Sequence, residues 1–184
     1  MSRRLPFFIL FTIIAAILMP ASAALAQTEP ADAKERSEIL AAPETKKDLY
    51  PAGVDAKKEI AEALRIAAAE HKRVLLVFGG NWCYDCHVLD RALHEGAAGK
   101  IVNDSFVLVH VDIGEADKNL DLTKKYKIPL EKGVPAVAVL KNDGSLIYSS
   151  GDGEFEAART MMRKDLVAFL QRWQEASTQA NDKR

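Results

Sequence analysis

The chain holds two cysteines, Cys83 and Cys86, within Trp82-Cys83-Tyr84-Asp85-Cys86. That spacing has a chemical use. Side chains at i and i+3 on a first helical turn are neighbours, so a disulfide can open and close there with little backbone movement. A helix start also favours negative charge, because free N–H groups and the macrodipole point at it. The thiolate is the nucleophile of disulfide exchange, so the sequence predicts Cys83 as the attacking sulfur. Cys86, one turn inward, is predicted to stay in reserve and resolve the mixed disulfide.

The same residues admit other chemistry. Cys83-Tyr84-Asp85-Cys86-His87 also spells the C-x-x-C-H pattern of covalent haem attachment, with His87 as one axial ligand and Met161 or Met162 as the other. Cys83, Cys86, His87 and His94 include the donor types of a zinc or copper site. A third alternative is a non-catalytic binding module in which the cysteines form a structural disulfide. Two cysteines are too few for a disulfide-dense scaffold.

Positioning the pair requires a strand before it and a helix after it. Val74 to Phe78 is an apolar run closed by Gly79-Gly80, the pattern of a strand buried on both faces. From Cys86 to about Gly96, Leu89, Ala92 and Leu93 fall at helical spacing and a glycine ends the run. Upstream, Asp55 caps a helix that runs to Lys72 with Ile60 and Leu64 on one face. Downstream, Phe106–Asp112 and Ala136–Leu140 read as strands, with a short helix over Asn119–Tyr126 between them. Asn142-Asp143-Gly144 is a hairpin signal that pairs Ser145–Tyr148 with the preceding strand. The last segment, about Glu154 to Ala176, places Met162, Leu166, Phe169 and Trp173 on one helical stripe, which reads as core packing. Strands alternating with helices, closed by a hairpin, predict an α/β fold with a mixed central sheet and helices on both faces.

The rest of the chain predicts where that domain goes. Residues 1–26 carry Arg3 and Arg4, an apolar stretch from Leu5 to Met19, and Ala24-Leu25-Ala26. This is the layout of an export signal cleaved near Ala26, and the apolar stretch is short for a membrane-spanning helix. The expected location is therefore periplasmic or secreted, an oxidising setting in which a vicinal cysteine pair can cycle. Residues 27–54 read as a flexible arm from which Tyr50-Pro51 can dock, 55–176 as the domain and 177–184 as a disordered tail. The net charge of the whole chain is -1, and losing the signal makes it more acidic, which argues against a nucleic-acid partner.

The strand Val74-Leu75-Leu76-Val77-Phe78-Gly79-Gly80, the motif Asn81-Trp82-Cys83-Tyr84-Asp85-Cys86 and the distant Gly133-Val134-Pro135 together resemble the thioredoxin superfamily, over about Ile60 to Trp173. The likeness is to exported bacterial thioredoxin-like proteins. The resemblance implies a thioredoxin fold and a thiol–disulfide oxidoreductase. It implies a cis Pro135 facing the cysteines, with Val134 pairing its backbone to the substrate and Trp82 shielding the pair. Substrates would be protein thiols and disulfides, with a redox partner protein, no organic cofactor, no metal, no membrane contact beyond the export signal, and a monomeric state. Three departures stand out. The family's buried strand acid, six residues before the first cysteine, is Val77 here, with His110 on the neighbouring strand a possible stand-in. The approach Lys127–Lys132 is longer than usual. Asp85, between the cysteines, is expected to oppose a thiolate, which favours reductase or isomerase behaviour. Asn81 and Asp85 are otherwise expected at a polar rim.

Overall fold

The computed structural model describes residues 48–174. The predicted export segment 1–26, the predicted arm as far as residue 47, and the predicted helix end and tail from 175 lie outside the described residues. Among the described residues no helix is long and apolar enough to cross a membrane.

Among the described residues, α-helices and strands follow in the order α1 (Ala56–Glu70), β1 (Arg73–Gly79), α2 (Tyr84–His94), α3 (Gly96–Ser105), β2 (Phe106–Asp112), α4 (Leu120–Lys125), β3 (Ala136–Leu140), β4 (Leu146–Ser149) and α5 (Arg163–Gln174). Asp55 caps α1, its carboxylate accepting from the amides of Lys57 and Lys58. The sheet order is β2-β1-β3-β4. β1 runs parallel to β2 and antiparallel to β3, and β4 returns antiparallel beside β3. A parallel pair cannot be closed by a tight turn, and here α2 and α3 carry the chain from β1 to β2.

The sheet is covered on both sides, which is why its central strands read as unbroken apolar runs. Leu75, Val77, Val137 and Val139 face Leu89, Leu93, Val102, Leu166 and Leu170. Val74, Leu76, Phe78, Ala138 and Leu140 face Ile60, Ala63, Ala67, Leu122 and Tyr126. Each such Leu, Val or Phe contributes roughly 1.5–3 kcal/mol by leaving water. β1 therefore forms the rigid floor beneath the cysteine pair.

Two elements differ from the sequence expectation. The helix after the cysteines begins at Tyr84 and ends at His94, and Gly96 opens a second helix rather than closing the first. Glu95 is extended (φ -114°) and Gly96 has φ +55°, a left-handed step that lets the chain break and restart within two residues. At the other end, Glu154–Ala157 forms turns, Ala158–Thr160 a 3-10 turn, and regular helix starts only at Arg163. Phe155, within those turns, is buried against Phe169, 4.9 Å between ring centroids.

Candidate active site

Cys83 is the N-cap of α2, in extended conformation, and its sulfur accepts from the Cys86 amide at 3.1 Å. The two cysteines form a disulfide with Cα atoms 5.3 Å apart. Cys83 is 5% exposed and Cys86 is fully buried. Cys83 therefore sits at the positive end of α2 with an N–H aimed at its sulfur, while the second sulfur is inside.

The residues singled out with the cysteines converge on them. The Val134–Pro135 bond is cis and leads directly into β3. The Val134 carbonyl lies 3.5 Å from Cys83 Sγ. Trp82 is 55% exposed and its indole N–H donates to the Gly114 carbonyl at 2.8 Å, which fixes the ring beside the pair. A groove of about 560 Å³ runs past Cys83, lined among others by Trp82, Tyr84, Val134, Glu156 and Arg159. His87 faces inward, its Nε2 2.9 Å from the Asn81 carbonyl. Among the described residues no three His, Cys, Asp or Glu side chains are placed to hold a metal ion.

Asp85 is not a rim residue, whereas Asn81 is exposed, as expected of a polar rim. Asp85 is 6% exposed. Its carboxylate accepts from the Arg159 amide at 2.8 Å and from Arg159 Nε at 3.0 Å, and the Arg159 Nη2 closes the pair. Burial pushes the Asp85 carboxyl up, and the hydrogen bonds and charge of Arg159 outweigh that, holding it below the usual carboxylate range. The opposition to a Cys83 thiolate expected of a bare carboxylate is therefore offset by a cation 74 residues away in the chain. The guanidinium also lies over the Tyr84 ring, 5.0 Å from its centroid. Arg159→Ala removes this compensation. Alkylation of Cys83 in the reduced protein should slow roughly tenfold at neutral pH, as an uncompensated carboxylate disfavours the thiolate. Stability should fall too, with a definite pH signature. A lowered carboxyl stabilises the fold above its unfolded-state value and loses that contribution as pH falls through the folded value. The gap between wild type and Arg159→Ala in urea unfolding should therefore be widest at neutral pH and close in acid. An equal gap at both pH values would show that the pair is not the cause.

Asn81 fastens the segment before α1. Its side-chain oxygen accepts from the amides of Leu49 and Tyr50, both at 3.0 Å, and its amide donates to the Tyr50 carbonyl at 3.0 Å and to Asp48 at 2.5 Å. Leu49 and Tyr50 are buried and pack with Cys83, Cys86 and Val134. So Tyr50 docks on the cysteine pair, and residues 48–50 form a strap across it.

Two participants, Arg159 and Asp90, were not singled out from the sequence, and a third, Tyr50, was not placed. Arg159 gave no local signal. Tyr50 was expected to dock, but nothing fixed where. Asp90, 4% exposed, stands four residues after Cys86, a spacing that puts both on one face of α2. His110, named as a possible stand-in for the missing acid, has Nε2 3.1 Å from Asp90 Oδ1.

A sheet of this order, with a Cys-x-x-Cys disulfide at the N-terminus of the helix after β1 and a cis-proline opposite, defines a thiol–disulfide oxidoreductase of thioredoxin fold. Comparison with known proteins agrees. Residues 55–142 match the family described as Thioredoxin-like. A disulphide isomerase from Xylella fastidiosa Temecula1, known from its crystal structure, is 35% identical, with a TM-score of 0.65 over 69% of this chain and 97% of that one. Thioredoxin-1 of Drosophila yakuba is 28% identical over 99 residues, 54% of this chain and 85% of the relative. The chain belongs to the thioredoxin-like family.

Proposed function

We propose that the protein acts in the cell envelope, after export, and reduces or exchanges disulfide bonds of protein clients. Cys83 is the nucleophile, Cys86 the resolving thiol, and Trp82, Val134 and Pro135 the edge on which a client segment docks. The observation that carries this reading is the Cys83–Cys86 disulfide at the start of α2, with Cys83 Sγ facing the Val134 carbonyl. An extended client chain lying along Val134 would bring its own sulfur to Cys83 from the groove side. The Cys83 thiolate attacks that sulfur, the client's S–S bond breaks, and one client sulfur leaves as a thiolate. Cys86 then displaces the second and closes the protein's disulfide. Electrons return from a redox partner protein, so no organic cofactor or metal enters the cycle, and one chain suffices. The arrangement of residues 1–26 supports export and cleavage near Ala26.

Insulin reduction in the presence of a small dithiol tests the reaction, and the mass of the protein recovered from a bacterial periplasmic extract tests the location. The expected results are catalysed precipitation of the insulin B chain and a periplasmic species lacking about the first 26 residues. Turnover no faster than the dithiol alone removes the exchange reading. A full-length species held in the membrane removes the location.

A further inference from the structure

We propose that Tyr50 is the hydrogen-bond donor that receives the Cys86 sulfur when it is a thiolate, and that the Asp90–His110 pair behind it takes the thiol's proton. This rests on the exchange reaction proposed above, and it assigns a task for which the chain has no acid at Val77.

The placement is unusual and specific. The Tyr50 ring is 3% exposed, and its hydroxyl has no hydrogen-bond partner among the described residues. A buried hydroxyl without an acceptor is costly, and proteins rarely leave one so. Its position is fixed by Gly79. A Cβ on residue 79 would stand 2.5 Å from the Tyr50 oxygen and 2.5 Å from Cys86 Sγ. The hydroxyl and the sulfur thus share one small space. A disulfide sulfur is a weak acceptor, whereas a thiolate is a strong one. The missing partner of Tyr50 therefore comes into being when the disulfide is reduced and Cys86 ionises.

The proton needs somewhere to go, and the same face of the sheet supplies it. His110 is the register partner of Val77 on the parallel strand β2. Its ring is edge-on to Tyr50, 5.4 Å between centroids, and its Nε2 touches Asp90. Asp90 Oδ1 also lies 3.3 Å from His94 Nδ1. The Asp90 and Asp112 charges both reach the Tyr50 hydroxyl and, with burial, keep it protonated as a donor. Asp112 is held by Lys118 at 2.8 Å, whereas Asp90 lies one turn from Cys86 on the same face of α2. The family's acid has in effect moved one strand over and onto α2.

The step balances without any outside reagent. In the mixed disulfide, Cys86 gives its proton to the Asp90–His110 pair and becomes a thiolate, with Tyr50 donating to it. The thiolate attacks Cys83 Sγ, the Cys83–client bond breaks, and its electron pair leaves on the client sulfur. The proton held by the pair is then free to follow the client thiolate out.

Two measurements test this. Cys83→Ser leaves Cys86 as the chain's only thiol, so its ultraviolet thiolate absorbance can be titrated alone. Adding Tyr50→Phe should raise the midpoint by about one pH unit, a tenfold loss of thiolate at a given pH. Separately, reduced protein with both cysteines, mixed rapidly with an aromatic disulfide, releases one aromatic thiol on attack and a second on resolution. Tyr50→Phe and Asp90→Asn should each slow the second release about tenfold and leave the first within about twofold. The sign for Asp90 is diagnostic. If its carboxylate acted only as a charge, removing it would favour the thiolate and speed the second release. An unchanged midpoint in Tyr50→Phe, or an unchanged or faster second release in Asp90→Asn, overturns the proposal. Should Asp90→Asn fail to fold, the near-isosteric Tyr50→Phe decides it in both assays. A wild-type chain that releases neither thiol removes the exchange reading instead, and the absorbance titration still decides Tyr50.

Discussion

Replacing Cys86 with alanine converts the protein into a trap that holds its client on Cys83. The attacking sulfur keeps everything it uses: the N-terminal end of α2, the Arg159-compensated Asp85, and the open groove beside Trp82 and Val134. Only the second displacement is lost. In the wild type that displacement is intramolecular, between sulfurs already held on one helical turn. Such positioning is equivalent to a very high local thiol concentration. Dissolved thiols at millimolar levels cannot replace it, so the mixed disulfide should live roughly 10³-fold longer or more. The check is a non-reducing gel of Cys86→Ala recovered from its own compartment, with adducts that collapse on adding dithiol. Cys83→Ser should give no adducts and no insulin turnover, because the remaining sulfur is fully buried under the strap. Equal adduct yields from both variants would mean that Cys83 is not the nucleophile. No adducts from Cys86→Ala, with wild-type turnover intact, would mean that the mixed disulfide is resolved without Cys86.

The regular parts of the fold were legible because their signals are local. Phe106–Asp112 and Ala136–Leu140 are strands at the boundaries that their β-branched composition suggests. Asp55 caps α1 as its side chain requires. The errors came where one signal carried two meanings. Gly96 was read as a stop, yet a left-handed glycine can equally start a new helix, and α3 was missed with it. Helical spacing from Glu154 was extended over a segment whose one large apolar residue, Phe155, packs among aromatics from a turn.

The site divides the same way. Cys83 and Cys86 were legible in their type and spacing, whereas Val134 and Pro135 were named through the resemblance to the superfamily. Asp85 was misjudged because a charge between two cysteines was taken without a partner. Its partner, Arg159, follows α2, two more helices and three strands, and only the folded chain brings it near. Likewise Tyr50 sits in a stretch of low apolar periodicity, and its burial depends on four hydrogen bonds that a single Asn81 side chain provides. Local patterns predict elements well, but contacts made across the sheet decide how the chemistry of the pair is tuned.

That tuning makes Gly79 the most exacting position in the protein. Gly79→Ala should leave β1 paired, because residue 79 ends the strand and its backbone is not in the left-handed region. The added Cβ, however, would stand 2.5 Å from both Cys86 Sγ and the Tyr50 oxygen, and 3.1 Å from Tyr50 Cζ. Neither neighbour has room to give, since Cys86 is fully buried and Tyr50 is clamped through Asn81. Overpacking of this kind typically costs about 1–3 kcal/mol. The strap is the weaker partner, being held at its edge, whereas Cys86 is embedded in α2. Its release should appear as lost exchange protection at the Leu49 and Tyr50 amides, and as at least roughly tenfold faster alkylation of reduced Cys86. A double-mutant cycle separates the two clashes. If Tyr50 carries most of the strain, Gly79→Ala should cost clearly less in a Tyr50→Ala background, a non-additivity of about 1 kcal/mol or more. Additive costs would place the strain on Cys86 and the disulfide instead. Unchanged amide protection and Cys86 reactivity in Gly79→Ala would show that the strap does not cover the sulfur in solution.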